Sequence, residues 1–319
     1  MATIYVKKDY KTIQEAIDAA NPGDKIIVEN GVYRESLNIN KNDLKLVGGE
    51  DTVLYGDFAL QYAFYINNAN KIEIQNFKIK NYALWAFYIE NSSNVLVYRC
   101  SISDVSYVGA EFYNSKNIKF IKNRMSGFLN YGVYSYGSCG GSINYNTIES
   151  CGQYGIYITG DMTEFSIIRN NVSRNNNGGI ICMGEKNMIF YNKVFKNTGS
   201  AISAYSNSSV KGNILSDNTG DGVISSGKNS VIAENLILNN AQNGIYISIY
   251  GMAGTKITSN RIQCSGVNGI YIGTGSNIIE GNTVIDSGRY DILRLHPNNE
   301  FKNNIFNTSN PAELNVRGE

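Results

Sequence analysis

Apolar and polar positions along this chain repeat with a step of 21–25 residues. The anchors Asn123, Asn146, Asn170, Asn192, Asn213, Asn235, Asn260, Asn282 and Asn304 set the register, which extends backwards to Cys100 and Phe77. Three residues before each anchor stands an apolar side chain, from Ile74, Val97 and Phe120 to Ile279 and Phe301. Two residues after it stands another, from Ile79, Ile102 and Met125 to Val284 and Phe306. Nine residues after it comes Gly or Ala, as at Ala86, Gly109, Gly132, Gly155 and Gly244, until Asp291 breaks the series. Agreement at four offsets over eleven segments marks a structural repeat.

Within each repeat, apolar and polar residues alternate, as in Gly155-Ile156-Tyr157-Ile158-Thr159. Alternation is the strand period, and no helical period occurs inside the repeats. The step is shorter than that of two-helix repeats, and the Leu-x-x-Leu-x-Leu frame is missing. Several short strands per turn, each pairing in parallel with the next turn at about 4.8 Å, give a β-solenoid. The anchor Asn fits a tight bend, since Asn tolerates left-handed backbone, and its amide is suited to stacking on its neighbours. Both roles are expected of it, and no catalysis.

An open solenoid end exposes core and strand edges, so covers are expected. Thr12-Ile13-Gln14-Glu15 is a capping box opening a short helix with Ile13, Ala16, Ile17 and Ala20 on one face. The helix stops at Asn21-Pro22-Gly23-Asp24 and is placed as the N-terminal plug. First strands are expected at 25–29 and 43–47. The tail beyond Phe306, with Asn310-Pro311, is polar and a poor plug, which leaves a partner chain as an alternative cover. One domain over 1–319 is expected: strand and helix over 1–24, coils over 25–306, tail over 307–319.

Composition agrees with many tight turns: 32 Gly, 23 Tyr and only 3 Pro among 319 residues. A formal net charge of +1 offers no basic field for nucleic acid. No apolar run is long enough for a membrane span. No leader is visible at Met1; removal of one would make a secreted or cell-surface location the expectation, and otherwise a cytoplasmic one. The 5 Cys follow no zinc or redox spacing and read as small core or turn residues, with a Cys139–Cys151 pairing across coils left open.

The stretches Thr12-Ile13-Gln14-Glu15-Ala16-Ile17, Pro22-Gly23-Asp24-Lys25-Ile26-Ile27-Val28, Gly31-Val32-Tyr33 and Leu44-Lys45-Leu46-Val47-Gly48 resemble the N-terminal segment of pectate-lyase-like proteins. The later coils are similar to the parallel β-helix repeats of that superfamily. The resemblance spans nearly the whole chain and implies an all-β fold, a single right-handed parallel β-helix of about 12 coils with a short N-terminal capping helix. For function it implies only a range, from polysaccharide lyases, glycosidases and uronan epimerases to tailspikes. The chain departs from the motifs that would narrow this range. It lacks Trp-Ile-Asp-His of pectate lyases, paired Asp with Gly-His-Gly of polygalacturonases, and Asp-Pro-His of mannuronan epimerases.

Eleven and thirteen residues after the anchors, side chains point outward from one sheet. Together with the position eight residues after, they carry Tyr62, Tyr65, Trp85, Tyr88, Tyr113, Tyr131, Tyr134, Tyr136, Tyr154 and Tyr157 through the first half of the chain. Tyrosine is a good strand former that stacks with itself, and such a face also suits contact between copies of the chain. A long exposed apolar stripe equally marks a binding surface, and tyrosine offers a sugar ring an apolar face with a hydroxyl at its rim. Tyr65, Trp85, Tyr88, Tyr113, Tyr131, Tyr134, Tyr136, Tyr154 and Tyr157 are the candidate glycan contacts.

Glu90 and Glu111 are the carboxylates of this face. Strand spacings put their Cα atoms about 8 Å apart and their carboxyls about 5–9 Å apart, a span that covers glycosidase pairs. Asp161, in a loop about two coils on, is a further catalytic candidate. A lyase or epimerase would need a cation for the substrate carboxylate. Arg289, Arg294 and the single His296 gather at the last full coil, with a solenoid-end ion pair as the plainer explanation. No metal site and no cofactor are expected, apart from Ca²⁺ if the chemistry is that of a lyase. The expected partner is a polysaccharide or oligosaccharide, bound for hydrolysis with the Glu pair, for lyase or epimerase chemistry, or for adhesion without turnover.

Overall fold

The computed structural model describes residues 2–161, 163–250 and 253–310. The chain is an all-β parallel solenoid of about 13 turns on three parallel sheets, one turn more than the repeat count suggests. Its helix is Ile13–Ala19. Two compact units divide it, at 1–157 and 158–319.

In the first unit the repeat becomes three strands per turn. The strands Asn70–Gln75, Ser93–Tyr98 and Lys119–Ile121 stack in one sheet, and Lys78–Lys80, Ser101–Val105 and Arg124–Phe128 in the second. Tyr62–Asn67, Trp85–Glu90, Val108–Tyr113 and Val133–Tyr136 stack in the third. The apolar columns of the repeat fill the space between the sheets, where Ile74, Val97, Phe120, Ile79 and Met125 are fully buried. The small column has a steric origin. A Cβ on Gly109 would lie 2.6 Å from the Gly132 carbonyl oxygen, and one on Gly132 just as close to that of Gly155.

The N-terminal cover is as expected. The Thr12 hydroxyl and the Glu15 carboxylate complete the capping box, and Ile13, Ala16 and Ile17 face inward. The Glu35 carboxylate also accepts the free Ile13 and Gln14 amides at 3.0 Å, which satisfies two more donors of the helix start. Tyr82, fully buried, donates its hydroxyl to the Glu35 carbonyl at 2.7 Å and ties this cap to the coil.

The second unit repeats the plan with shorter strands, such as Met188–Phe190, Lys193–Phe195 and Ser200–Ala204. Its last described turn is closed by Asp291, the residue that breaks the small column. That buried carboxylate accepts the amides of Asn307 and Thr308 at 2.8 and 3.1 Å. Of the tail read as a poor plug, residues 307–310 reach back to this turn, where Ser309–Asn310 pairs in parallel with the strand Tyr290–Arg294, and Pro311 onward lies outside the described residues.

The anchor asparagines form the expected ladder, but the reason needs correcting. The left-handed bend falls on the residue before each anchor: Lys122, Tyr145, Arg169, Tyr191, Glu234 and Ser259 have φ of +56°, +59°, +55°, +57°, +56° and +54°. The anchor is Asn for its amide. The Asn123 amide N–H donates to Asn146 Oδ1 at 2.8 Å and Asn123 Nδ2 to the Val97 carbonyl at 3.1 Å. The same pattern links Asn192 to Asn213 and Asn213 to Asn235. Buried corner groups are thereby satisfied without water.

A second ladder, not read from the sequence, runs through Asn175, Asn197, Asn218 and Asn240 at the next corner of the second unit. In the first unit that corner is filled by Tyr82, Val105, Phe128 and Cys151, all buried. Cys151 is thus a corner filler, whereas Cys139 sits in the bend before the strand Gly141–Asn144. Neither forms a disulfide, nor does any of the other three cysteines, so the pairing left open does not form.

Candidate functional site

The third sheet of the first unit gathers the outward tyrosines into columns. Tyr65, Tyr88, Glu111 and Tyr134 are successive register partners, and so are Asn67, Glu90, Tyr113 and Tyr136. Parallel in-register pairing puts like positions one strand spacing apart, so the rings stack. Tyr65 and Tyr88 have centroids 5.3 Å apart and planes 9° apart, and Tyr113 and Tyr136 5.7 Å and 13°. Tyr134 stacks on Tyr157 at 5.7 Å, and Tyr131 packs against Tyr134, Tyr154 and Tyr157 at 5.1, 6.2 and 5.3 Å. Ring faces therefore largely cover one another, and rims and hydroxyls are what the columns present to solvent. This is the self-stacking that stood beside sugar contact as a reason for tyrosine in these columns.

Glu111 interrupts this stacking. Trp85 packs on Tyr88 at 4.9 Å, and Tyr107 meets the indole edge-on at 6.0 Å. Among the described residues, no ring contact joins this group to Tyr113, Tyr131 or Tyr134. The ring contacts fall into three groups: Glu111 stands in its column between Tyr88 of one and Tyr134 of another, and Tyr113 and Tyr136 pair by themselves. Tyr107 was missed in the sequence because it sits one residue before its column, in the turn Ser106-Tyr107, where Val108 takes the column position and turns inward.

Each carboxylate is held by a donor from the preceding coil. The Trp85 indole Nε1–H donates to Glu111 Oε2 at 2.7 Å, and the Tyr65 hydroxyl to Glu90 Oε2 at 2.6 Å. Burial pushes the Glu111 carboxyl above the usual range, and the indole bond only partly opposes this. The bond to Glu90, reinforced by burial, pushes the Tyr65 phenol up to about 12. Tyr134 rises to about 12 through burial and then the nearby Glu111 charge. Tyr88 rises through burial, then the charges of Glu90 and Glu111, which places that ring beside both carboxylates.

The face is open. Asn91 and Ser92 alone separate the strand ending at Glu90 from the next, and Ser106 and Tyr107 alone precede the strand starting at Val108. Turns this short wall off no cleft. Asp161 belongs to the second unit and is exposed there; its carbonyl accepts the Glu185 amide. Arg289 lies over the Tyr290 ring at 5.4 Å and Arg294 over Phe301 at 5.9 Å, so aromatic packing engages both, and His296 is exposed beside them. Among the described residues, no His, Cys, Asp and Glu group has the make-up of a metal site, and no helix is long and apolar enough to cross a membrane.

Comparison with known proteins agrees with this architecture. The family model "Right handed beta helix region" matches residues 32–195 and again 126–252. No curated protein matches the chain. Among solved structures, the surface adhesin PfbA of Streptococcus pneumoniae is similar with a TM-score of 0.71 at 14% identity, over 91% of both chains. The A-module of the mannuronan C-5 epimerase AlgE6 of Azotobacter vinelandii has a TM-score of 0.64 at 16% identity, over 93% of this chain and 94% of its own. The catalytic unit of an α-1,3-glucanase from Streptomyces thermodiastaticus has a TM-score of 0.76 at 13% identity, over 93% of this chain and 66% of its own. At these identities the likeness is one of fold.

Proposed function

Since the chain belongs to the right-handed β-helix family, we propose that it binds a polysaccharide along the tyrosine-bearing sheet of its first unit and hydrolyses it with Glu111 and Glu90. The observation that carries this reading is the pair of anchored carboxylates set among the aromatic groups of this sheet. Glu111 is the half-buried carboxyl whose proton is held more tightly than usual, which suits it to protonate a leaving oxygen. Glu90, fixed by Tyr65, is the base or nucleophile. Tyrosine rims and hydroxyls along the sheet meet the hydroxyls of a glycan. Solved relatives in fold include a glucanase and an epimerase of polysaccharides, which supports a carbohydrate ligand.

The test is incubation with a neutral α-1,3-glucan, xylan and mannuronan, read for reducing ends and for unsaturated product. Reducing ends from a neutral chain are expected, falling about 100-fold or more in Glu111→Gln. Full hydrolysis by both Glu111→Gln and Glu90→Gln would remove the pair from the mechanism. Unsaturated product from mannuronan would favour a lyase instead.

A second reading has its own support. The short turns leave the face flat, and a surface adhesin is among the structures similar in fold. In that reading the sheet binds without turnover. Binding that is lost in Tyr134→Ala, with no product from any polymer, would establish it.

A further inference from the structure

The charge pattern of the tyrosine sheet narrows the class of glycan. Resting on the glycan-binding reading above, we infer that the ligand is a cationic one: a glycan that carries protonated amines on its sugar rings. Three observations converge. First, Glu90 and Glu111 lie on an aromatic face with no Lys or Arg at the outward positions of its strands, and among the described residues neither is in ion-pair contact with a cation. Elsewhere in the same unit carboxylates are paired, as Glu73 is with Lys45 and Asp51 with Lys78 at 2.8 and 2.6 Å. Second, each site carboxylate uses one oxygen for its aromatic donor and leaves the other without a donor among the described residues. The site is rich in acceptors. Third, Tyr88 and Tyr134 flank Glu111 in its column, and their hydroxyl oxygens add acceptors for an ammonium group.

An ammonium on a pyranose ring answers all three. It brings three donors to the open carboxylate and phenol oxygens and neutralises the carboxylates at short range. A uronate would bring a second negative charge to a face with no cation to receive it. A neutral glucan would make the hydroxyl contacts but leave the carboxylate charges uncompensated.

The chain contains 1 Trp. Trp85 fluorescence therefore reports this site without labels. The full-length protein is titrated with a fully deacetylated glucosamine tetramer, its N-acetylated counterpart and the matching glucose tetramer. The amine form is expected to bind about tenfold or more tightly than either neutral form. Its affinity is expected to weaken severalfold as salt is raised from 50 to 500 mM, conditions that shorten the screening length from roughly 14 to 4 Å. Glu90→Gln and Glu111→Gln are each expected to lower amine binding several-fold, and by a larger factor than they change binding of the glucose tetramer, with melting temperatures no lower than the wild type's confirming the fold. Equal or tighter binding of the acetylated or glucose tetramer overturns the amine preference and leaves the glycan-binding reading standing. A salt-independent affinity for the amine form overturns it too. Absence of any binding by all three overturns both.

Discussion

Trp85 and Glu111 are joined across neighbouring coils by an indole N–H bond of 2.7 Å, and this bond sets the character of the site. It draws a carboxylate into the aromatic stack, where burial raises its proton affinity. A carboxyl raised on folding contributes stability that is fully present below its unfolded pKa and lost as pH rises through the folded value.

Glu111→Gln keeps an acceptor for Trp85 and removes the charge. The variant is expected to match the wild type in acid and to exceed it at neutral pH by about 1 kcal/mol or less. Thermal melts from pH 3.5 to 8 check this; a wild type that gains on the variant as pH rises would show that burial is not the dominant influence on Glu111.

Tyr65 and Tyr134, both pushed up to about 12, stay protonated where an ordinary tyrosine, near pKa 10, ionises. Their contribution to stability is intact below the ordinary value and is lost as pH rises through about 12. An alkaline absorbance titration is expected to show a late class of phenols. Glu90→Ala removes the hydrogen bond that is the largest cause acting on Tyr65 and is expected to move one phenol from the late class toward the ordinary one.

Asn213 accepts from both the backbone amide and the side-chain amide of Asn192, at 2.8 and 3.0 Å. Asn213→Ala leaves two buried donors unpaired, at a cost of about 2–4 kcal/mol. Asn38→Ala, at an exposed position that only meets Tyr62 and Gln14 side chains, is expected to cost under about 1 kcal/mol. Urea melts of the two variants test the ladder against a surface control.

Cysteines in no disulfide predict a graded reactivity. Cys264 is exposed, Cys139 intermediate, and Cys100, Cys151 and Cys182 are buried. Burial also raises the Cys100 thiol to about 12, which keeps it from forming the reactive thiolate. A thiol reagent is expected to label Cys264 first, Cys139 more slowly and the other three only on unfolding, and reductant is expected to leave the melting temperature unchanged. A melting temperature lowered by reductant would reveal a disulfide.

The amino-acid sequence by itself determined the coil register. A parallel in-register stack places every residue beside its counterpart one repeat on, so a column such as Ile74, Val97 and Phe120 is both a sequence pattern and a wall of the core. The capping helix and the outward placement of the tyrosines follow from the same one-dimensional logic. Tertiary structure decided what the columns do to one another. The left-handed bend fell one residue before each anchor, and the anchor side chain accepts the backbone amide of the anchor one coil back. Tyr107 joined the site from outside its column. Stacked neighbours covered the ring faces that an isolated tyrosine would present. Trp85 and Glu111 met although they stand in different columns, because a long side chain reaches across positions that the repeat keeps apart. Periodicity specifies which backbone positions are adjacent; the direction in which a side chain leans, and the donor it finds there, depends on shapes that only the folded stack brings together.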